Sequence, residues 1–146
     1  MAEIILVRDI MTANVRSVKP DSSVAAVVQK MNKFDIGSVV VVQGERPIGI
    51  VTERDVLRKI VEPCLDPSAV KAGQIMSSPL ITIGEDDSLE EAAKIMAKNG
   101  IKKLPVVRGK ELVGIITTMD LVRHGPSLTS LLEELIWTKP ARPTIR

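Results

Sequence analysis

A chain of 146 residues is long enough for one full-sized domain or for two small repeats sharing a core, and 45% hydrophobic with 26% charged residues is the balance of a soluble globular protein. The formal net charge of +2 is spread over interspersed acids and bases, so there is no basic stripe to neutralise a phosphate backbone. Phe34 and Trp137 are the only aromatic side chains, which leaves little on which unpaired bases could stack, and nucleic acid is not an expected partner.

In chain order, the apolar run "IILV" is stopped after four residues by Arg8-Asp9, and no later run reaches membrane-spanning length. Val15 and Ser17-Val18 form a short extended piece. Asp21 or Ser22 is placed to cap a helix whose apolar positions Val24, Val27, Val28 and Met31 recur at helical spacing. Two β-branched runs follow, "SVVVVQ" and "PIGIVT", joined as a hairpin around "GERP". A second helix, "ERDVLRKIV", is stopped by Pro63. Cys64, in the linker 64–71, is the lone cysteine, which excludes an internal disulfide or a Cys-based zinc cluster and fits a cytoplasmic setting.

The chain then repeats itself. An offset of 65 residues, Thr52 to Thr117, aligns "DIMT" with "QIMS", "SVKPDSSV" with "TIGEDDSL" and "GIVTERD" with "GIITTMD" without a gap. Leu89, Ala92, Ala93 and Met96 reproduce the helical stripe, "LPVVR" and "LVGIIT" the hairpin around "GKE", and "TMDLVRHG" the second helix, stopped by Gly125-Pro126. His124 is the only histidine, so no Ser/His/Asp or Cys/His constellation assembles within one chain, no set of metal ligands accompanies it, and an enzyme is not expected. Residues 126–146 read as an amphipathic helix on Leu128, Leu131, Leu132, Leu135 and Ile136 with a loose tail. The organisation is therefore repeat 1 at 7–63, a linker at 64–71, repeat 2 at 72–125 and a C-terminal segment at 126–146. A unit of roughly 55 residues buries too little surface to be comfortable alone, so two β-α-β-β-α units of a mixed α+β fold, packed as a pseudo-two-fold pair, are the expectation.

Each repeat carries a Thr three residues ahead of an Asp where strand meets helix: Thr52 with Asp55, and Thr117 with Asp120. This pattern makes a capping box, in which the hydroxyl accepts from one free amide and the carboxylate from another. The same geometry has a second use, since a helix amino terminus attracts a phosphate and a carboxylate one turn on accepts from a ribose diol. Both junctions follow Gly-Ile-(Val/Ile), where glycine permits close backbone approach and the aliphatic side chains can flank a flat base.

These features together, "DIMT" with "QIMSSP", the acidic-Ser helix starts, "KLPVV" with "GSVVVV" and the two "GI(V/I)T-x-x-D" signatures, resemble a tandem pair of cystathionine-beta-synthase domains, the CBS pair or Bateman module, over roughly Val7 to Gly125. The resemblance implies a regulatory module with two clefts between the repeats for AMP, ADP, ATP, S-adenosylmethionine or methylthioadenosine, with no other cofactor. One cleft would use Thr52 for phosphate, Asp55 for ribose and Ile50 for base packing, with Arg54 in the same turn; the other would use Thr117, Asp120 and Ile115, with Met119 in place of Arg54. Contributions from the partner repeat would come from Met11, Arg16, Ile36 and Gly37, and from Met76, Ile81, Ile101 and Lys102. Arg54 makes the first cleft the expected stronger phosphate binder. The competing reading is a structural dimerisation module whose Thr/Asp pairs only cap helices. In either case Val56, Leu57 and Ile60 beside Leu121 and Val122 point to a two-fold homodimer. Any regulated target is expected either on another chain or in a part of the protein outside this sequence.

Overall fold

The computed structural model describes residues 4–78 and 80–124; the expected C-terminal helix and tail lie outside the described residues. Both repeats fold as mixed α+β units, each with a three-stranded sheet in the order β1-β2-β3 or β4-β5-β6. The strands are β1 (Ser17–Val18), β2 (Ser38–Gln43), β3 (Arg46–Thr52), β4 (Ile83–Gly84), β5 (Lys103–Arg108) and β6 (Glu111–Thr117). The helices are α1 (Val7–Ile10), α2 (Val24–Lys33), α3 (Glu53–Val56), α4 (Ala72–Ile75), α5 (Leu89–Asn99) and α6 (Thr118–His124). A π-helical segment, Leu57–Val61, continues α3.

The hydrophobic pattern explains these elements. Val24, Val27 and Met31 of α2 are buried against Val39, Val41 and Val51, the inward positions of alternating strands. Leu89, Ala92, Ala93 and Met96 of α5 are buried likewise. The cap of α2 is Ser23, whose side chain accepts from the Ala26 amide, rather than Asp21 or Ser22; Ser88 does the same for the Glu91 amide. The correction has a simple cause: the residue with extended backbone immediately before Val24 is the one whose hydroxyl reaches the third amide of the helix. The first hairpin turns on Gly44-Glu45, and Arg46-Pro47 of the expected turn already belong to β3. Gly44 and Gly109 sit at φ +66° and +61°, a backbone that side chains rarely adopt and that these turns require.

β1 runs parallel to β2 (Val18 opposite Val41), and β2 runs antiparallel to β3 (Val40 opposite Ile50, Ser38 opposite Thr52). The chain divides into two compact units that do not follow the repeats. Among the described residues, one holds 14–81 with the tip of the second hairpin, 107–113; the other holds 4–13, 82–106 and 114–124. Each sheet is thereby grouped with the short helix that precedes the other repeat, α4 with β1-β2-β3 and α1 with β4-β5-β6. In the first unit, Ala72 and Ile75 of α4 enter the core, the Ala72 amide donates to Ser22 O (2.7 Å) and the Gly73 amide to Pro20 O (2.9 Å). In the other unit, the Val7 amide donates to Asp87 O (2.8 Å) and the Arg8 amide to Glu85 O (3.0 Å).

The first unit also joins two hairpin tips, the Leu112 amide donating to Glu45 O at 2.9 Å. A hydrogen bond with Glu111, and then the repulsion of its charge, hold the Glu45 carboxyl above its ordinary 4.5.

The helices after β3 and β6 expose part of the stripe expected at a dimer interface and bury the rest. Leu57 is 59% exposed and Val122 52%, joined by Val61 (57%) and Met119 (56%) from outside that stripe, whereas Ile60 (3%) and Leu121 (0%) turn into their own units. Ile60 belongs to the first core, packed with Val51 and Ile75, and so leaves the exposed face that the sequence pattern alone assigned to it.

Candidate functional site: the two Thr-x-x-Asp junctions

At the end of β3 the chain passes from extended backbone at Thr52 (φ −111°, ψ 166°) directly into α3. The Thr52 amide donates to Asp55 Oδ2 at 2.9 Å, the Thr52 hydroxyl donates to the same oxygen at 3.1 Å, and the Asp55 amide donates to Thr52 Oγ1 at 3.2 Å. The capping box is complete. β6 and α6 reproduce it: Thr117 amide to Asp120 Oδ2 2.8 Å, Thr117 hydroxyl to Asp120 Oδ2 3.1 Å, Asp120 amide to Thr117 Oγ1 3.3 Å. A further first-turn amide is taken in each copy, Glu53 N–H by Gly37 O (3.1 Å) and Thr118 N–H by Lys102 O (3.0 Å). Two of the first three amides of each helix are therefore used internally, which narrows what the helix terminus can offer an anion.

The glycine of each signature makes room for a methionine. A Cβ on Gly49 would meet Met76 Sδ and stand 2.8 Å from its Cγ; one on Gly114 would meet Met11 Sδ, with Cγ at 2.9 Å and Thr12 O at 3.1 Å. The segments carrying these methionines add a short antiparallel pair to each sheet. Ser77 N–H donates to Ile50 O (2.8 Å) and Ile50 N–H to Ser77 O (3.3 Å); Thr12 and Ile115 exchange two bonds of 3.0 Å. So Met76 joins the Thr52 junction and Met11 the Thr117 junction.

The unit holding Thr52, Arg54, Asp55 and Ile50 also holds Arg16, Ile36, Gly37, Met76 and Ile81; the unit with Thr117, Met119, Asp120 and Ile115 also holds Met11, Ile101 and Lys102. Arg54, Lys102 and Met119 are exposed at the surface. The Arg16 guanidinium lies over the Phe34 ring, 3.8 Å from its centroid, so its cation is seated on an aromatic face. Beside the first junction a cavity of about 310 Å³ is lined by Ile36, Glu53, Val56 and Leu57 with Val28, Met31 and Asn32 of α2.

The family model of the CBS domain matches residues 7–62 and again 72–127. The chain belongs to the CBS-domain family. An uncharacterised protein of Methanopyrus kandleri is 41% identical over 130 residues, 87% of this chain but 63% of its own length, so the chain spans less than two thirds of that relative. Hypoxic response protein 1 of Mycobacterium tuberculosis is 32% identical over 120 residues, covering 82% of this chain and 84% of that protein. Among solved structures, a CBS-domain protein of Pyrobaculum aerophilum complexed with AMP is similar with a TM-score of 0.77 at 28% identity, over 88% of this chain and 99% of that one.

Within the CBS repeats, sequence reasoning passed over two partners of Asp55. The Ser77 hydroxyl donates to both carboxylate oxygens, at 3.2 and 3.3 Å, and Lys59 Nζ stands 3.2 Å from Oδ1 while donating to Ile75 O at 2.7 Å. Lys59 had a local signal, since it follows Asp55 by one helical turn. Ser77 had none, because its contact depends on α4 joining the other repeat's sheet.

Proposed function

We propose that this CBS pair is a non-catalytic regulatory module that binds an adenosine-containing ligand, AMP, ADP, ATP or an S-adenosylmethionine-type molecule, at its Thr-x-x-Asp junctions. The observation that carries the reading is the AMP complex of the Pyrobaculum aerophilum relative, whose whole length this chain matches. The local chemistry suits it. Asp55 and Asp120 are acceptors fixed in orientation by their own turns, as a ribose diol requires, and Ile50 and Ile115 lie two residues before the threonines to flank a base. Arg54 and Lys102 supply exposed cations for phosphate. In this reading the working form is a cytoplasmic homodimer, and nucleotide occupancy biases its packing against an unidentified regulated protein.

A second reading, a structural dimerisation module, draws on the same geometry: each capping box is completed by its own threonine and aspartate. Calorimetric titration with AMP, ATP and S-adenosylmethionine separates the two. Saturable binding of any of them, weakened about ten- to a hundred-fold by Asp→Ala at the occupied junction, supports the first reading. No heat from any of the three supports the second.

A further inference from the structure

The two junctions share a capping box but differ in what else holds the aspartate. Asp55 is 7% exposed and its carboxylate is crowded: Oδ2 accepts from the Thr52 amide, the Thr52 hydroxyl and the Ser77 hydroxyl, and Oδ1 takes Ser77 and the Lys59 ammonium. Asp120 is only half-buried, and both bonds that its carboxylate accepts from Thr117 use Oδ2. Among the described residues, no side chain from outside its own turn reaches Asp120. The positions matching Ser77 and Lys59 are Thr12 and His124, both exposed. The backbone differs as well. Lys59 lies in the π-helical segment Leu57–Val61, whereas Val122–His124, the described part of the matching stretch, belong to the α-helix α6. A π-helical turn changes which side chains share a face, and such turns recur at functional positions.

We infer that Lys59 is a built-in competitor for the ribose-binding edge of the first junction, so that an adenosine ligand fills the Asp120 junction first and gains the Asp55 junction only by displacing Lys59. The inference rests on the adenosine reading above and gives it an order of filling. A diol arriving at Asp55 finds Oδ1 occupied by a cation and by Ser77, and must displace an ion pair with hydroxyl donors that carry no charge; at Asp120 no side chain from outside its turn, among the described residues, stands on the corresponding oxygen. The charge of Arg54 favours phosphate at the first junction, but the carboxylate's own partners oppose the nucleoside there. Displacing Lys59 has a further consequence, because the same ammonium bonds Ile75 O at the end of α4. Ligand entry at the first junction therefore frees the end of the helix that the second repeat's entry segment adds to this unit, which couples occupancy to the seating of that segment.

The test is calorimetric titration of the full chain with AMP, for wild type, Lys59→Met and Asp120→Asn, beside melting curves without ligand. Wild type is expected to show a tight step and a second step at least about tenfold weaker, Lys59→Met to strengthen the second about tenfold, and Asp120→Asn to lose the tight one. Lys59 pairs with Asp55 Oδ1 while the cap uses Oδ2, so its variant removes no group that forms the capping box. A Lys59→Met isotherm that superimposes on wild type, or a tight step that survives in folded Asp120→Asn, overturns the order of filling while leaving adenosine binding in place. Absence of binding to wild type and to Lys59→Met with AMP, ATP and S-adenosylmethionine overturns the adenosine reading itself, and this inference with it.

Discussion

Replacing Gly49 by alanine tests whether the glycine of the first signature exists to seat Met76. The added methyl would collide with Met76 Sδ and stand 2.8 Å from Cγ and 3.0 Å from Cβ. Rotating the thioether away relieves the first two contacts, but Met76 Cβ moves only with its backbone, which Ser77 and Ile50 tie to β3. Overpacking of this kind costs about 1–3 kcal/mol, less a few tenths regained because alanine has fewer unfolded conformations than glycine. For a chain of this size that lowers the melting temperature by roughly 3–9 °C. Gly114→Ala should lie at the upper end, since its third obstacle, at 3.1 Å, is the backbone oxygen Thr12 O, held by the bond from the Ile115 amide. Denaturant unfolding of Gly49→Ala, Met76→Ala and the double variant gives the decisive number. If the methionine is the obstacle, the two costs are not additive and the double variant is less destabilised than their sum by about 0.5–2 kcal/mol. A Gly49→Ala protein as stable as wild type, or strict additivity, would refute the reasoning.

Asp55→Ala should destabilise more than Asp120→Ala, by about 1 kcal/mol beyond a shared cap loss of about 0.5–2 kcal/mol, because it alone strands the Ser77 and Lys59 donors; urea unfolding of both variants measures the difference. Light scattering should give a dimer for wild type and a monomer for Leu57→Glu combined with Val122→Glu, since both side chains are more than half exposed apolar surface on helices; unchanged mass in the variant would rule these faces out. Glu45 has a raised carboxyl pKa in the fold, so its contribution is full below its ordinary 4.5 and is lost as the pH rises through the raised value; Glu111→Gln should therefore gain stability over wild type at neutral pH and lose that advantage in acid, read from melting curves across the carboxylate range.

Local chemistry made much of this protein legible in its sequence. The offset of 65 residues revealed the repeat, period-two and helical patterns placed strands and stripes, and Thr-x-x-Asp announced the two caps, because each depends on residues within a few positions of one another. The short helices α1 and α4 left only a weak trace, in Asp9 and Gln74, whose side chains accept from the amides of Leu6 and Lys71 three residues before them. What tertiary structure alone decided was partnership across the repeats. The offset that equates the copies is silent on exchange: Met76 and Ser77 pair in sequence with Met11 and Thr12, yet each pair serves the sheet of the other repeat. The sequence told the two junctions apart by Arg54 against Met119, but it was packing that set Ser77 on Asp55 and, among the described residues, left Asp120 with its own turn. Side chains tens of residues apart meet only when the core has chosen which segment completes which sheet, and that choice is made by burial of Ala72 and Ile75 against distant valines, for which the local pattern holds no record.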